Sequence, residues 1–483
     1  MSRIRIGFDP CGGDPEGQES PLVRQIAALA KISKEYADSA TFVVAGNTDE
    51  INKALEKHDH ANNIEIVNES NVFSMDGKIE DYKNTPTTIS KLAEMLASKD
   101  INVLFSNGNT TATVYYSATK CEMLGRGVRP TLCTRMPRTL DKFYFLSDAG
   151  AHKQARAQHL LFNALLAMAY SQHVQHTMHP RVGLLEGPLA ENALSYMKKL
   201  DNFAGIITPQ DIYRQGIDVV VTDGFNGNIY LKATEAAAQG TAERIKQSTK
   251  MQKLWASVAH LFGVKSILSP FFTPHTRRYE QLRTLSRHTY NLHGVDSILQ
   301  VKNAIPYMEN GYAGRAIGVL SNGEEDVKGN KFARELADVL RTAPINYIGF
   351  VEPDDILHGI ARRNGNNTTI TSVFTEKQTA DLFINTIEAS EKAFLEIVKP
   401  LFNLTDLLLR PEELRQKFLM LKEGILNPNH FNGVPVLGIN GYAVVGHGKA
   451  TQYGTEQGLR FAIKYAQSKF TEYAKERILR YTA

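Results

Sequence analysis

Apolar residues along this chain gather in short unbroken runs, separated by longer stretches with helical spacing. Arg3 to Phe8, Thr41 to Ala45, Asn63 to Val67, Ile101 to Phe105 and Phe143 to Leu146 each read as a strand. Runs this short and β-branched suit strands buried on both faces, as in a parallel sheet. Three of them empty into a Gly/polar turn that opens a helix: Asp9 to Asp14, Ser106 to Thr110 and Ser147 to His152. The stretch Asp218 to Lys232 follows the same plan, and the rest of the chain is organised around it. Val219-Val220-Val221 is a strand, Asp223 to Asn228 breaks it with two glycines and two asparagines, and a helix resumes over Ile229 to Ala238. Alternation of this kind predicts a doubly wound α/β fold. In such folds anions bind at the carboxyl ends of strands, where helix starts present free N–H groups.

The second half carries a repeat. Asn202, Gly205, Pro209, Asp211 and Ile212 recur at constant spacing as Asn346, Gly349, Pro353, Asp355 and Ile356. Arg181 to Leu185 answers Arg315 to Leu320, and His293-Gly294-Val295 answers Asn432-Gly433-Val434. The unit is too large for a solenoid repeat and points to a duplicated domain. The expected organisation is an N-terminal half over 1–178, a first C-terminal copy over 179–313 and a second over 314–483.

Composition narrows the class. A net charge of +4 with dispersed lysines and arginines gives no footprint for nucleic acid. Three cysteines without CxxC spacing exclude a disulfide framework and suit a reducing cytoplasm. No apolar run is long enough to span a bilayer, and the chain enters a strand at once without a signal peptide. His173, His176 and His179 stand three apart, a spacing that drifts about 60° per step on a helix, so they do not converge on one metal.

Taken together, the motifs resemble the PlsX family, the bacterial phosphate acyltransferases that make acyl phosphate from acyl carrier protein and inorganic phosphate. The resemblance rests on Asp9 to Asp14, Ser106 to Thr110, Arg129-Pro130, Asp148 to Ala151, Asp223 to Asn228 with Leu231-Lys232, Gly433 to Gly438 and His447-Gly448, all in family order. The departures are split between the copies. The first has Glu186 to Asn192 in place of a family motif that the second keeps as Asn322 to Asn330. The second has lost the Asp-Gly-Phe block but retains the closing glycine motif. The resemblance implies a Rossmann-like, isocitrate/isopropylmalate dehydrogenase-like sandwich, to which the repeat adds a duplicated C-terminal half. The two copies are expected to pack as an internal pseudo-dimer in place of the family's homodimer, with homo-oligomerisation as the alternative.

The implied reaction is attack of a phosphate oxygen on a thioester carbonyl, with no covalent intermediate, metal or cofactor. Candidate catalytic residues are Asn228, Lys232 and Asp223, the last positioning Lys232 or a backbone amide rather than acting as base. Phosphate and substrate contacts are expected from Asp9, Gly12, Gly13, Asp14, Ser106, Gly108, Asn109, Thr110, Arg129, Asp148, Gly224, Gly227, Asn330 and His447. Cys11 stands where the family has methionine, which argues against a reactive thiol. Ile245 to Phe272 mixes lysines with an apolar helix face, read either as an interface helix or as peripheral membrane contact. Two rivals stand beside this reading: a phosphate acetyl- or butyryl-transferase using coenzyme A, and a non-catalytic homologue that binds acyl carrier protein or membrane.

Overall fold

A computed structural model describes residues 3–15, 20–139, 142–152, 154–238, 240, 292–312, 315–323, 328–363, 366–398 and 432–482. The segment 245–272 lies outside them. Nine strands are laid down first: β1 (Ile4–Asp9), β2 (Ala40–Gly46), β3 (Ile64–Asn68), β4 (Val103–Ser106), β5 (Thr131–Pro137), β6 (Phe143–Ser147), β7 (Val182–Leu185), β8 (Phe203–Ile207) and β9 (Val219–Val221). They are followed by β10 (Leu292–Val295), β11 (Ala316–Leu320), β12 (Asn346–Val351), the pair β13 (Ile360–Arg363) and β14 (Asn366–Thr369), β15 (Ser372–Glu376), β16 (Val434–Leu437) and β17 (Tyr442–Val445).

An 11-stranded sheet runs in the order β3-β2-β1-β4-β17-β16-β5-β6-β9-β7-β8. Its strands are mostly parallel, with helices on both faces, as the alternating pattern predicts. A second, four-stranded parallel sheet has the order β10-β15-β11-β12. The expected boundary after 178 falls inside the large sheet, which continues through β7, β8 and β9. The large sheet also takes back β16 and β17 at its centre, and the helices Gln452–Gln467 and Phe470–Thr482 pack against Pro21–Glu35 and Ala157–Gln175.

Register fixes which strand ends lie together. β1, β4 and β17 run parallel, bringing Asp9, Ser106 and Val445 to one edge. β16 turns back and pairs Leu437 with Thr131 at the start of β5, and β5 pairs Cys133 with Ser147 at the end of β6. The carboxyl ends of β6 and β9 therefore lie along the opposite edge.

The repeat has a local structural counterpart. β8-β7-β9 and β12-β11-β15 share order and direction, and each first pair carries a register irregularity at the corresponding place. Gly205 and Gly349 have φ of 92° and 90°, a left-handed backbone that glycine adopts without cost. Thr208 and Glu352 precede Pro209 and Pro353, and their N–H groups donate to Asp211 and Asp355 at 2.9 and 3.0 Å. His293 to Val295 and Asn432 to Val434 do not occupy like places. The former lies in β10 at the edge of the small sheet, and the latter leads into β16 inside the large one.

One helix joins the two sheets. Residues 224–238 are helical, so the helix begins at Gly224 rather than at Ile229. Phe225, Ile229, Ala233 and Ala237 form a stripe four apart that is buried in the small sheet's core. Burying Phe225 and Ile229 there stabilises by about 2–3 kcal/mol each. Tyr230 faces the other way, into the core of the large sheet, where its hydroxyl meets that of Tyr144 at 2.7 Å.

Candidate functional site

At the first edge, three turns are knitted together. The Asp9 carboxylate is fully buried and accepts from the Cys11 N–H at 3.3 Å and the Ser106 hydroxyl at 2.8 Å. Burial pushes its pKa up, against these bonds. A Cβ on Gly12 would stand 2.6 Å from the Cα of Gly108, so these two turns touch only because both lack side chains. Asn109 caps the helix Thr110–Lys120 through the Ala112 N–H at 3.0 Å and donates to the carbonyls of Ser74 and Met75. From β17, a Cβ on Gly446 would meet Asn107 Oδ1 at 1.8 Å, and the Asp14 N–H reaches the Gly448 carbonyl at 2.9 Å.

His447 stands over this junction. Its N–H donates to Asn432 Oδ1 at 2.7 Å, and its Nδ1 accepts from the Lys449 N–H at 3.2 Å. With Nδ1 an acceptor, the neutral ring carries its proton on Nε2. Burial holds the pKa below the ordinary range; Lys449 and Lys232 lower it further, while Asp14 and Glu352 raise it. The imidazole thus lies within the electrostatic reach of groups from three other places in the fold.

At the opposite edge, the turns after β6 and β9 lock together. Asp148 is fully buried and accepts from the N–H groups of Leu132, Gly150, Ala151 and His152 at 2.8–3.1 Å. Burial nevertheless raises its pKa to about 6. A Cβ on Gly227 would fall 1.8 Å from the Asp148 carbonyl oxygen, and one on Gly224 would lie 2.5 Å from that of His152. Asp223 caps the helix, accepting from the Phe225 and Asn226 N–H groups at 3.0 Å each and from the Asn226 amide at 2.7 Å.

These bonds correct the picture of an open anion cradle over Gly224 to Asn228. A carboxylate one residue upstream has taken the first amides, because a covalently tethered acceptor beats a diffusing one. Asp223 holds backbone, as one of the two roles expected of it, and has no bond to Lys232 among the described residues. The Asn228 amide nitrogen donates weakly to Ala149 at 3.4 Å, and its buried carbonyl oxygen has no partner. Arg129 is exposed beside His152, whose Nδ1 contacts the Pro130 carbonyl.

The expected site residues thus fall into two groups. Asp9, Gly12, Gly13, Asp14, Ser106, Gly108, Asn109, Thr110 and His447 share the first edge. Asp148, Asp223, Gly224, Gly227, Asn228 and Arg129 share the second. Lys232, two turns down the bridging helix from Gly224, links them.

The small sheet supplies the facing groups. Lys232 forms an ion pair with Glu352, at the end of β12. Thr379 donates to Asn226 Oδ1 at 3.1 Å, and Glu376 feels the charge of Asp223. Asn330 caps the helix Lys331–Arg341 through the Ala333 N–H and has no bond to the Asp223 turn or to Lys232 among the described residues. Glu352 and Arg24 escape motif reasoning, Glu352 because its neighbour Lys232 lies over a hundred positions away. Among the described residues no cluster is suited to a metal ion. His173 instead stacks on Tyr473 at 4.9 Å and contacts the Ser468 carbonyl. No described helix is long and apolar enough to cross a membrane.

Comparison with known proteins places these residues in a sequence family. A family model described as "Fatty acid synthesis protein" matches residues 4–273 and 306–473. A phosphate acyltransferase of Campylobacter concisus is 32% identical over 260 residues, covering 52% of this chain and 77% of that protein. One from Campylobacter fetus is 30% identical over 256 residues, covering 51% and 75%. Among solved structures, a phosphotransacetylase from Streptococcus pyogenes aligns over 47% of this chain and 79% of its own, at 16% identity and a TM-score of 0.35.

Proposed function

This chain belongs to the PlsX family of fatty acid synthesis proteins and is an acyltransferase, and from that premise we propose that it converts acyl-acyl carrier protein and inorganic phosphate to acyl phosphate and free carrier. Support for the site comes from one convergence: Lys232 of the bridging helix pairs with Glu352 of the small sheet, and the charges of both, with that of Asp14 after β1, act on His447 after β17.

Phosphate brings its own nucleophilic oxygen, so the protein needs no serine or cysteine nucleophile. One phosphate oxygen bonds the thioester carbonyl carbon, the C–S bond breaks, and the carrier leaves as a thiolate that takes a proton from solvent. Lys232 is the cation that holds the phosphate, exchanging Glu352 for it. The Nε2–H of His447 is aimed at the oxyanion that forms on the carbonyl, where a fixed donor is worth about 3 kcal/mol. A neutral imidazole donates without adding charge near Asp14.

The small sheet is proposed to be the second half of an internal pseudo-dimer. Three observations support this. The strand order of 182–221 recurs over 316–376 with the left-handed Gly205 matched by Gly349, the helices 224–238 and Lys377–Val398 face each other, and Asn226 and Thr379, at like positions in those helices, bond directly. Isologous contact places equivalent residues together in this way. Light scattering on the full chain should give a monomer. A dimer whose interface includes Lys377–Val398 would refute the pairing.

The deciding assay is phosphate-dependent release of thiol from long-chain acyl-acyl carrier protein, with the coenzyme A thioester alongside. Release from the carrier thioester supports the proposal. Release from coenzyme A alone makes the chain a phosphate acetyl- or butyryl-type transferase, and release from neither removes the catalytic reading.

A further inference from the structure

Arg24 sits in the helix Pro21–Glu35, is 7% exposed and belongs to none of the family motifs, yet its guanidinium reaches two of the three turns of the first-edge site, those after β1 and β17. Its Nε donates to the Ala450 carbonyl at 2.9 Å. Its Nη2 donates to the Gly448 carbonyl at 3.2 Å and to that of Asp14. Three backbone oxygens from two turns, more than four hundred residues apart in sequence, are thus held by one side chain. The turns are already in van der Waals contact: a Cβ on Gly13 would meet the Gly448 oxygen at 3.0 Å, and one on Gly448 would meet Asp14 Oδ2 at 2.8 Å.

As a device for stability this is poor. Among the described residues the guanidinium is buried without a hydrogen-bonded carboxylate, and its Nη1 has no partner. A buried charge left partly unsatisfied is costly, and an apolar side chain would fill the space without that cost. What the arginine supplies is geometry: a planar fork that fixes the separation and orientation of several acceptors at once.

We infer that Arg24 is a positioning residue for acyl transfer, setting the turn that bears His447 against the turn that bears Asp14. The inference rests on the proposed function, in which His447 faces the reacting carbonyl. Arg24 itself touches no substrate. Displacing His447 by about 1 Å is enough to cost on the order of 10²-fold in rate.

The test uses the full chain with Arg24→Gln, Arg24→Lys and Arg24→Ala. Arg24→Gln is expected to lose about 10²-fold in kcat with KM for phosphate nearly unchanged. Arg24→Lys recovers part of that, since one ammonium cannot reach all three carbonyls, and added guanidinium ion restores part of the Arg24→Ala rate. His447 is followed separately by NMR titration, which needs no turnover. Loosening the turn admits water and moves its depressed pKa back toward the ordinary range. Unchanged kcat together with an unchanged His447 titration in Arg24→Gln would overturn the inference. So would a loss of rate matched by a fall in thermal stability and insensitive to guanidinium. If the wild-type chain transfers no acyl group, the functional proposal fails by that result, and the His447 titration still decides whether Arg24 sets the turn.

Discussion

Lys232 and Glu352 form an ion pair across the junction of the two sheets, and each side chain is about three-quarters buried, at 29% and 24% exposure. The lysine lies on the bridging helix of the large sheet, and the glutamate ends a strand of the small one. A phosphate dianion reaching Lys232 must displace this carboxylate. An ion pair at that exposure is worth about 1 kcal/mol. Glu352→Gln is therefore expected to lower KM for phosphate about fivefold with kcat little changed. Lys232→Met should reduce kcat/KM for phosphate roughly 10²-fold. Steady-state kinetics with phosphate varied will check both, and a higher KM in Glu352→Gln would make Glu352 a binding group instead.

Gly227 and Gly205 separate two reasons for a glycine. At Gly227 the backbone is helical, but an added Cβ would overlap the Asp148 carbonyl at 1.8 Å. Gly227→Ala must push the helix off the Asp148 turn and should cost about 3 kcal/mol or more. Gly205 has open space around it and a φ of 92°, so Gly205→Ala should cost only about 1–2 kcal/mol. Urea unfolding of the two variants will show whether the order holds.

Burial pushes the carboxyl of Glu235, one turn beyond Lys232, up to about 7, with Asp354 and Glu352 adding to the effect and Lys232 opposing it. Its pKa is raised on folding, so the folded state holds a proton that the unfolded chain releases near 4.5. The stabilisation is present in full below about pH 4.5 and is lost as pH rises to about 7. Glu235→Gln should remove this slope, raising stability at pH 8 by on the order of 3 kcal/mol relative to the wild type. Denaturant midpoints at pH 5 and pH 8 provide the comparison, and parallel slopes would contradict it.

The cysteines should be inert. Burial and the nearby Asp9 push the Cys11 thiol up to about 12, and burial also raises Cys121 and Cys133. Thiolate is the reactive form. Treatment of the folded protein with iodoacetamide at pH 8 should leave all three unmodified by mass spectrometry and the transferase rate intact.

Each apolar run read as a strand lies within a residue or two of an observed one, while β5, β8, β10 and most strands beyond residue 340 escape that reading. Arg3 to Phe8 becomes Ile4–Asp9, and Phe143 to Leu146 becomes Phe143–Ser147. Such runs carry their own burial and need no partner to be read. Glycine motifs were legible for a related reason, since close approach of two backbones permits little else, as at Gly12 against Gly108. The start of the bridging helix was harder, because Asn226 and Gly227 resemble a turn until Asp223 is seen to cap them. The meeting of Lys232 with Glu352, and of Arg24 with Gly448 and Ala450, depends on strand order, which local periodicity does not encode. The same holds for the division of the site residues between two edges, which follows from β5 and β16 running against their neighbours.

The central place of β16 and β17 has a consequence for synthesis on the ribosome. Until residue 445 has emerged, β4 and β5 have no strands to fill the gap between them, and both keep a row of unpaired peptide groups. The earlier four hundred residues must wait half-assembled, with β4 and β5 open to foreign strands. A chaperone that shields strand edges should therefore raise the yield of folded protein more than one that only slows translation.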